Sequence, residues 1–132
     1  RCKAGFGMDV AAIGLGDDII GKGPQQPFFA LWSGEWRGNN SDKRFTGVFD
    51  RATHPIYRAY VNGAKHYDFI MISLLSPLAS SLGLKGPIDG TRMMRLNNDY
   101  LLAFFDQHLR GITSPLLGAA SPAYPEVSFE VR

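Results

Sequence analysis

Apolar residues lie in short unbroken blocks near the start of this chain and at helical spacing towards its end, and that change of period locates the elements. Ala4-Gly5-Phe6-Gly7-Met8 is short, apolar and small, and it stops at Asp9, the pattern of a buried strand followed by a turn. A glycine-rich loop then runs to Pro27. PFFALWSG, from Pro27 to Gly34, is apolar over a strand's length and rich in aromatics, as expected of a strand covered on both faces in a parallel sheet. Between Ser41 and Thr53, Phe45, Val48 and Phe49 fall at helical spacing behind a cap at Ser41 or Asp42, which predicts a helix. Ile56, Tyr57, Ala59, Tyr60 and Val61 read as a third strand closed by Asn62-Gly63, with His66 in the loop beyond. Two apolar helices follow, one within Phe69 to Leu84 and one from about Gly90 to Arg110. The second places Met93, Leu96, Tyr100, Leu101, Phe104 and Phe105 on one face, and Gly111 stands where a C-terminal cap belongs. From Thr113 the tail is proline-rich, with enough alternation over Glu126 to Val131 for a short edge strand.

The order strand, helix, strand predicts parallel crossovers and an α/β class, with a mainly parallel sheet flanked by helices. The 132 residues, 45% of them apolar, suit one domain with a core. The chain begins at Arg1 and enters a buried-type strand within a few residues, so it reads as part of a larger domain. The formal charge of +2 is scattered, with no run of Lys and Arg, which gives no support to a nucleic-acid partner. Cys2 is the only cysteine, which excludes an internal disulfide framework and a thiolate zinc site. No uninterrupted apolar run reaches about eighteen residues and no basic segment leads into an apolar one, so neither a spanning helix nor a signal peptide is predicted here.

Asp9, Glu35 and His66 each follow a predicted strand. In open α/β sheets the loops beyond the carboxyl ends of the strands converge on the ligand crevice. An acid and a histidine brought to that edge are the supporting members of a nucleophile–histidine–acid triad, in the chain order of α/β-hydrolases. The nucleophile is absent: GxSxG does not occur, and Gly14-Leu15-Gly16-Asp17 lacks the helix start and spacing of a phosphate-cradling loop. Each residue also has a plainer reading. A loop histidine is commonly structural, a reading kept for His54 and His108, and Asp9 alone could cap its turn. Glu35 is the competing acid, because many α/β-hydrolases place theirs after the strand that precedes the histidine strand. It could instead pair with Arg37 or Arg58 on the surface, a contact worth about 0–1 kcal/mol.

GFGMDVAAIGLGDD, PFFALWSGEW, GAKHYDF, LGLKGPIDG and NDYLLAFFDQHLRG, taken in succession, resemble the platelet-activating factor acetylhydrolase family, the lipoprotein-associated phospholipase A2 group of α/β-hydrolases. The likeness runs to about Gly111, and the family's triad aspartate and histidine fall on Asp9 and His66. It implies that residues 1–132 are the C-terminal part of a single α/β-hydrolase domain, supplying acid and histidine to a GxSxG serine on a missing N-terminal segment or a second polypeptide. The implied activity is hydrolysis of a carboxylic ester, with a short or oxidised acyl chain on a phospholipid as substrate, without metal or organic cofactor. Secretion or a periplasmic location is favoured by the same likeness. The apolar stretch from Ile70 to Leu78 is expected to be a buried helix or pocket wall, or, as the resemblance implies, a surface resting on lipid through Ile70, Met71, Leu74, Leu75 and Leu78. Competing readings are a polyester hydrolase, general carboxylesterase or peptidase on the same fold, and a lipid- or protein-binding module that lost the chemistry.

Overall fold

A computed structural model of the chain describes residues 2–70, 77–79 and 81–132. Four strands, β1 (Gly5–Met8), β2 (Phe28–Ser33), β3 (Ile56–Val61) and β4 (Val127–Val131), form one sheet in sequence order. β1 pairs parallel with β2 and β2 parallel with β3, whereas β4 runs antiparallel along β3. The predicted edge strand in the tail is β4. Among the described residues, three α-helices accompany the sheet: α1 (Asp17–Lys22), α2 (Asn40–Asp50) and α3 (Gly90–Phe105).

The two-residue period of the strands divides the core into two layers. Phe29 and Leu31 of β2, with Tyr57, Ala59 and Val61 of β3, face α3 through Met93, Leu96, Tyr100, Ala103 and Phe104. Ala30, Trp32, Ile56 and Tyr60 point to the other face and meet Phe45, Val48 and Phe49 of α2. With helices on both faces few strand positions are free to be polar, which is why β2 reads as an apolar run from Phe28 to Trp32. Each fully buried large side chain in these layers contributes about 1.5–3 kcal/mol.

The helix ends differ in detail from the pattern-based expectation. Asn39, rather than Ser41 or Asp42, caps α2 by accepting the Asp42 N–H at 3.0 Å. Ser41 accepts the Ala12 N–H at 3.2 Å, and Asp42 is a buried hub for Gly38 N–H, Arg58 and the Tyr60 hydroxyl. Asp89 caps α3 by accepting the Arg92 N–H at 2.8 Å. After α3 a single π-turn (Asp106–Arg110) leads to Gly111 at φ 72°, a left-handed end that glycine adopts without steric cost.

One expectation is corrected, and two others bear on the site. The loop before Pro27 contains α1, which starts directly after Gly16 although Gly14–Asp17 showed no helix-start signature. No described residue of α1 is buried, so it had no apolar period to read. The predicted first strand is β1, which forms an edge of the sheet: no described residue pairs with its outer side, and Met8 is exposed. Of the helix predicted within Phe69 to Leu84, the described residues include the last residue of the 3-10 turn His66–Phe69 and a second 3-10 turn at Pro77–Ala79. The remainder of that predicted helix, including Met71, Leu74 and Leu75, lies outside the described residues.

Candidate active site

The carboxyl ends of β1, β2 and β3 all point to one edge of the sheet, and three loops meet there. The Asp9 N–H donates to Leu31 O at 2.8 Å, extending the ladder one step beyond Met8. Asp9 then departs from strand geometry at φ 50°, the one positive φ at a non-glycine among the described residues. Aspartate is among the few residue types that tolerate this region, and such outliers cluster at functional sites. The turn behind it is fastened by Trp32 Nε1–H on Val10 O at 3.0 Å and by the Ala12–Ser41 bond.

That turn buries the Asp9 carboxylate completely. Burying an unpaired carboxylate is costly, so its two oxygens must be bonded. Oδ1 accepts the Ser33 backbone N–H at 2.6 Å, at the end of β2, and Oδ2 meets His66 Nδ1 at 2.7 Å. The residues of that last contact stand 57 positions apart in the chain. Facing a carboxylate, Nδ1 is the nitrogen that carries the proton, and in the neutral ring Nε2 keeps its lone pair. The His66 side chain is 63% exposed, and no described residue bonds Nε2. A ring fixed on one nitrogen and open on the other can accept a proton from a group delivered to it.

Of the sequence-predicted site residues, Asp9 and His66 are brought together and Glu35 is not. Glu35 lies exposed in a single 3-10 turn, Gly34–Trp36, on an open groove with Asn62, Gly63, Lys65 and Pro87. Its proposed surface partners are engaged elsewhere: Arg58 reaches Asp42 and Glu130, and the Arg37 guanidinium sits 4.6 Å from the Tyr60 ring centre. Ile70 and Leu78 are 54% and 65% exposed. His54 bonds Thr53 at the surface, and His108 bonds the Tyr57 hydroxyl at 3.0 Å. Sequence reasoning missed the Ser33 amide, a backbone donor that no side-chain pattern announces. Among the described residues no group of three or more His, Cys, Asp and Glu is placed to hold a metal ion, and no helix is long and apolar enough to cross a membrane.

No family model matches the chain, and no curated protein matches it. Among solved structures it is similar to a ferulic acid esterase from Streptomyces cinnamoneus, with a TM-score of 0.75 and 23% identity over 96% of this chain. The chain spans 39% of that esterase's length. It therefore shares the fold of part of that structure: a four-stranded, mostly parallel sheet flanked by helices.

Proposed function

We propose that this chain supplies the acid and the histidine of a serine-type carboxylic ester hydrolase, as the C-terminal part of one α/β-hydrolase domain. The observation that carries the reading is the fully buried Asp9 carboxylate at 2.7 Å from Nδ1 of an otherwise exposed His66. In the reaction, His66 Nε2 takes the proton of a serine hydroxyl as its oxygen bonds to the ester carbonyl carbon. It returns that proton to the leaving alkoxide, and an acyl-enzyme remains. Water then repeats the sequence: Nε2 removes its proton, hydroxide adds to the acyl carbon, and the serine leaves with the proton restored. Asp9 keeps the ring in the required tautomer and stabilises the imidazolium formed in each half.

The serine and the oxyanion donors belong outside these residues, since no GxSxG occurs here and the donors in this fold adjoin the nucleophile and an earlier loop. The outer edge of β1, which no described residue pairs, with Met8, Val10, Ile13 and Ile19 exposed nearby, is a suitable place for the preceding strands to add. They would come from an N-terminal segment or a second polypeptide.

Two acyl classes compete for the substrate. The family resemblance and the exposed Ile70 and Leu78 favour a phospholipid with a short or oxidised acyl chain, approached at a lipid surface. The likeness to a ferulic acid esterase favours an ester of an aromatic acid. The test is hydrolysis of nitrophenyl butyrate, methyl ferulate and a short-chain phosphatidylcholine by the complete protein, alongside its His66→Ala variant. We expect turnover of at least one ester, lost in the variant with the thermal midpoint almost unchanged. Faster turnover of the phospholipid, or of the ferulate, selects the acyl class. Equal turnover in the variant would remove His66 from the site, and binding of vesicles without hydrolysis of any ester would point to a lipid-binding module instead.

A further inference from the structure

The turn that carries His66 is held by a second buried carboxylate, two positions further on. Asp68 is only 4% exposed, and its Oδ2 accepts two backbone N–H groups, from Lys65 at 2.9 Å and from Gly86 at 2.8 Å. Lys65 immediately precedes His66, and the Asp68 N–H donates back to Lys65 O at 3.0 Å, so the turn is closed across the histidine. Gly86 belongs to the approach to α3, a separate stretch of chain. That approach is stitched to the end of β3 on its own account, with the Ile88 N–H on Gly63 O at 3.1 Å. The contact is so close that a Cβ on Gly86 would stand 2.1 Å from Gly63 O and 3.0 Å from Asp68 Oδ2. Only glycine fits there. One carboxylate oxygen thus joins the turn containing His66 to the segment leading into α3.

We propose that Asp68 is the positioning residue for His66: it fixes the turn against Gly86 so that the imidazole meets Asp9 on one side and the serine on the other. The inference rests on the hydrolase reading above. Bonds from amides to a buried carboxylate are charge-assisted and directional, which suits a support for a group whose placement matters to a fraction of an ångström. Displacement of a reacting group by about 1 Å costs on the order of 10²-fold in rate. A carboxylate that merely closed a 3-10 turn would matter to stability and leave the turnover of the folded enzyme alone.

The experiment measures kcat and KM of the complete protein on a soluble aryl ester, together with the downfield proton signal of His66 Nδ1–H in its NMR spectrum. Asp68→Ala leaves the Lys65 and Gly86 amides without their acceptor. We expect kcat to fall by about 10–100-fold with KM nearly unchanged, and the Nδ1–H signal to broaden or disappear. Asp68→Asn keeps one oxygen in place and should restore most of the rate and the signal. Asp68→Glu carries its oxygens one methylene further and should again lower kcat, which keeps the test decisive if the alanine variant does not fold. Folded Ala or Glu variants with wild-type kcat and an intact signal would overturn the role of Asp68, while a dead His66→Ala would leave the hydrolase reading standing. An active His66→Ala would remove His66 from the site and the positioning role of Asp68 with it.

Discussion

Two histidines at opposite ends of β3 make similar hydrogen bonds and are suited to opposite tasks. His66, beyond the carboxyl end, has one nitrogen on a buried carboxylate and a ring mostly in solvent. His108, near the amino end, has Nε2 on the Tyr57 hydroxyl and its ring 4.8 Å from that of Phe104, and Gln107 donates to the same hydroxyl. A hydrogen-bonded histidine is therefore no sign of chemistry in itself. What differs is the partner: a carboxylate stabilises the protonated ring, whereas a phenol and an aromatic wall favour the neutral one. The first arrangement can cycle a proton, and the second holds a helix end to the sheet.

The largest effect that would sharpen this contrast is at the acid. Asp9→Asn presents an NH₂ where the ring proton needs an acceptor, and the precedent for that change in a triad is a loss of about 10⁴ in turnover. Glu35→Gln, on the exposed groove, should leave kcat within a small factor. Steady-state kinetics of the two variants in the complete protein decide the acid, and a severe loss in Glu35→Gln with an active Asp9→Asn would move the role to Glu35. His66→Ala should lose at least about 10²–10⁴ with little change in thermal midpoint, since a largely exposed ring contributes little packing.

The next effect falls on the other end of β3 and touches stability instead of chemistry. Phe104→Ala opens a hole against Phe6, Phe29, Tyr57 and His108, and truncations of this kind cost about 3–5 kcal/mol. Denaturant unfolding should show it as a lower midpoint. Any folded fraction should keep the wild-type kcat, because Phe104 lies in the α3 layer and makes no contact with Asp9 or His66 in this fold. Tyr57→Phe is a milder version, removing the hydroxyl that His108 and Gln107 share, with an expected loss of about 1–3 kcal/mol because two partners are left unpaired.

How far the sequence announced this arrangement depends on the range of the interaction. β2 and β3 were legible because strands covered on both faces are mostly apolar, Arg58 and Ser33 being the exceptions here, and the α3 face was legible because Met93, Leu96, Tyr100 and Phe104 repeat at helical spacing. β1 could be found but not placed, since Gly5, Phe6 and Gly7 suit an edge as well as a centre. The helix α1 escaped because none of its six residues is buried and its cap, Gly16, makes no side-chain bond. At the site, the strand-end positions of Asp9, Glu35 and His66 were visible, but Asp9 and Glu35 differ only in three dimensions. The φ of 50° and the Ser33 amide turn Asp9 inward, and neither has a sequence signature. The joint between Asp68 and Gly86 spans 18 positions and depends on a backbone amide, so it too needed the structure.

The smallest effect is a pH dependence confined to His108. Burial beside Phe104 and Tyr57 lowers its pKa below the ordinary 6.5, since desolvation penalises the charged ring. The folded state then binds fewer protons than the unfolded state at pH values between the lowered value and about 6.5, so stability rises with pH through that window. Above it both states hold a neutral ring and the contribution is complete; below it both are protonated and the contribution has gone. Replacing the ring by an uncharged side chain, as in His108→Gln, removes this part of the pH dependence and leaves that of every other group in place. Unfolding free energies of wild type and variant, measured from pH 8 down to pH 5, should therefore draw together as the pH falls through the mid-sixes, with the wild type losing more. Parallel curves would mean that His108 is as free to charge in the folded chain as in the unfolded one, and the contrast between the two ends of β3 would then rest on exposure and partner geometry alone.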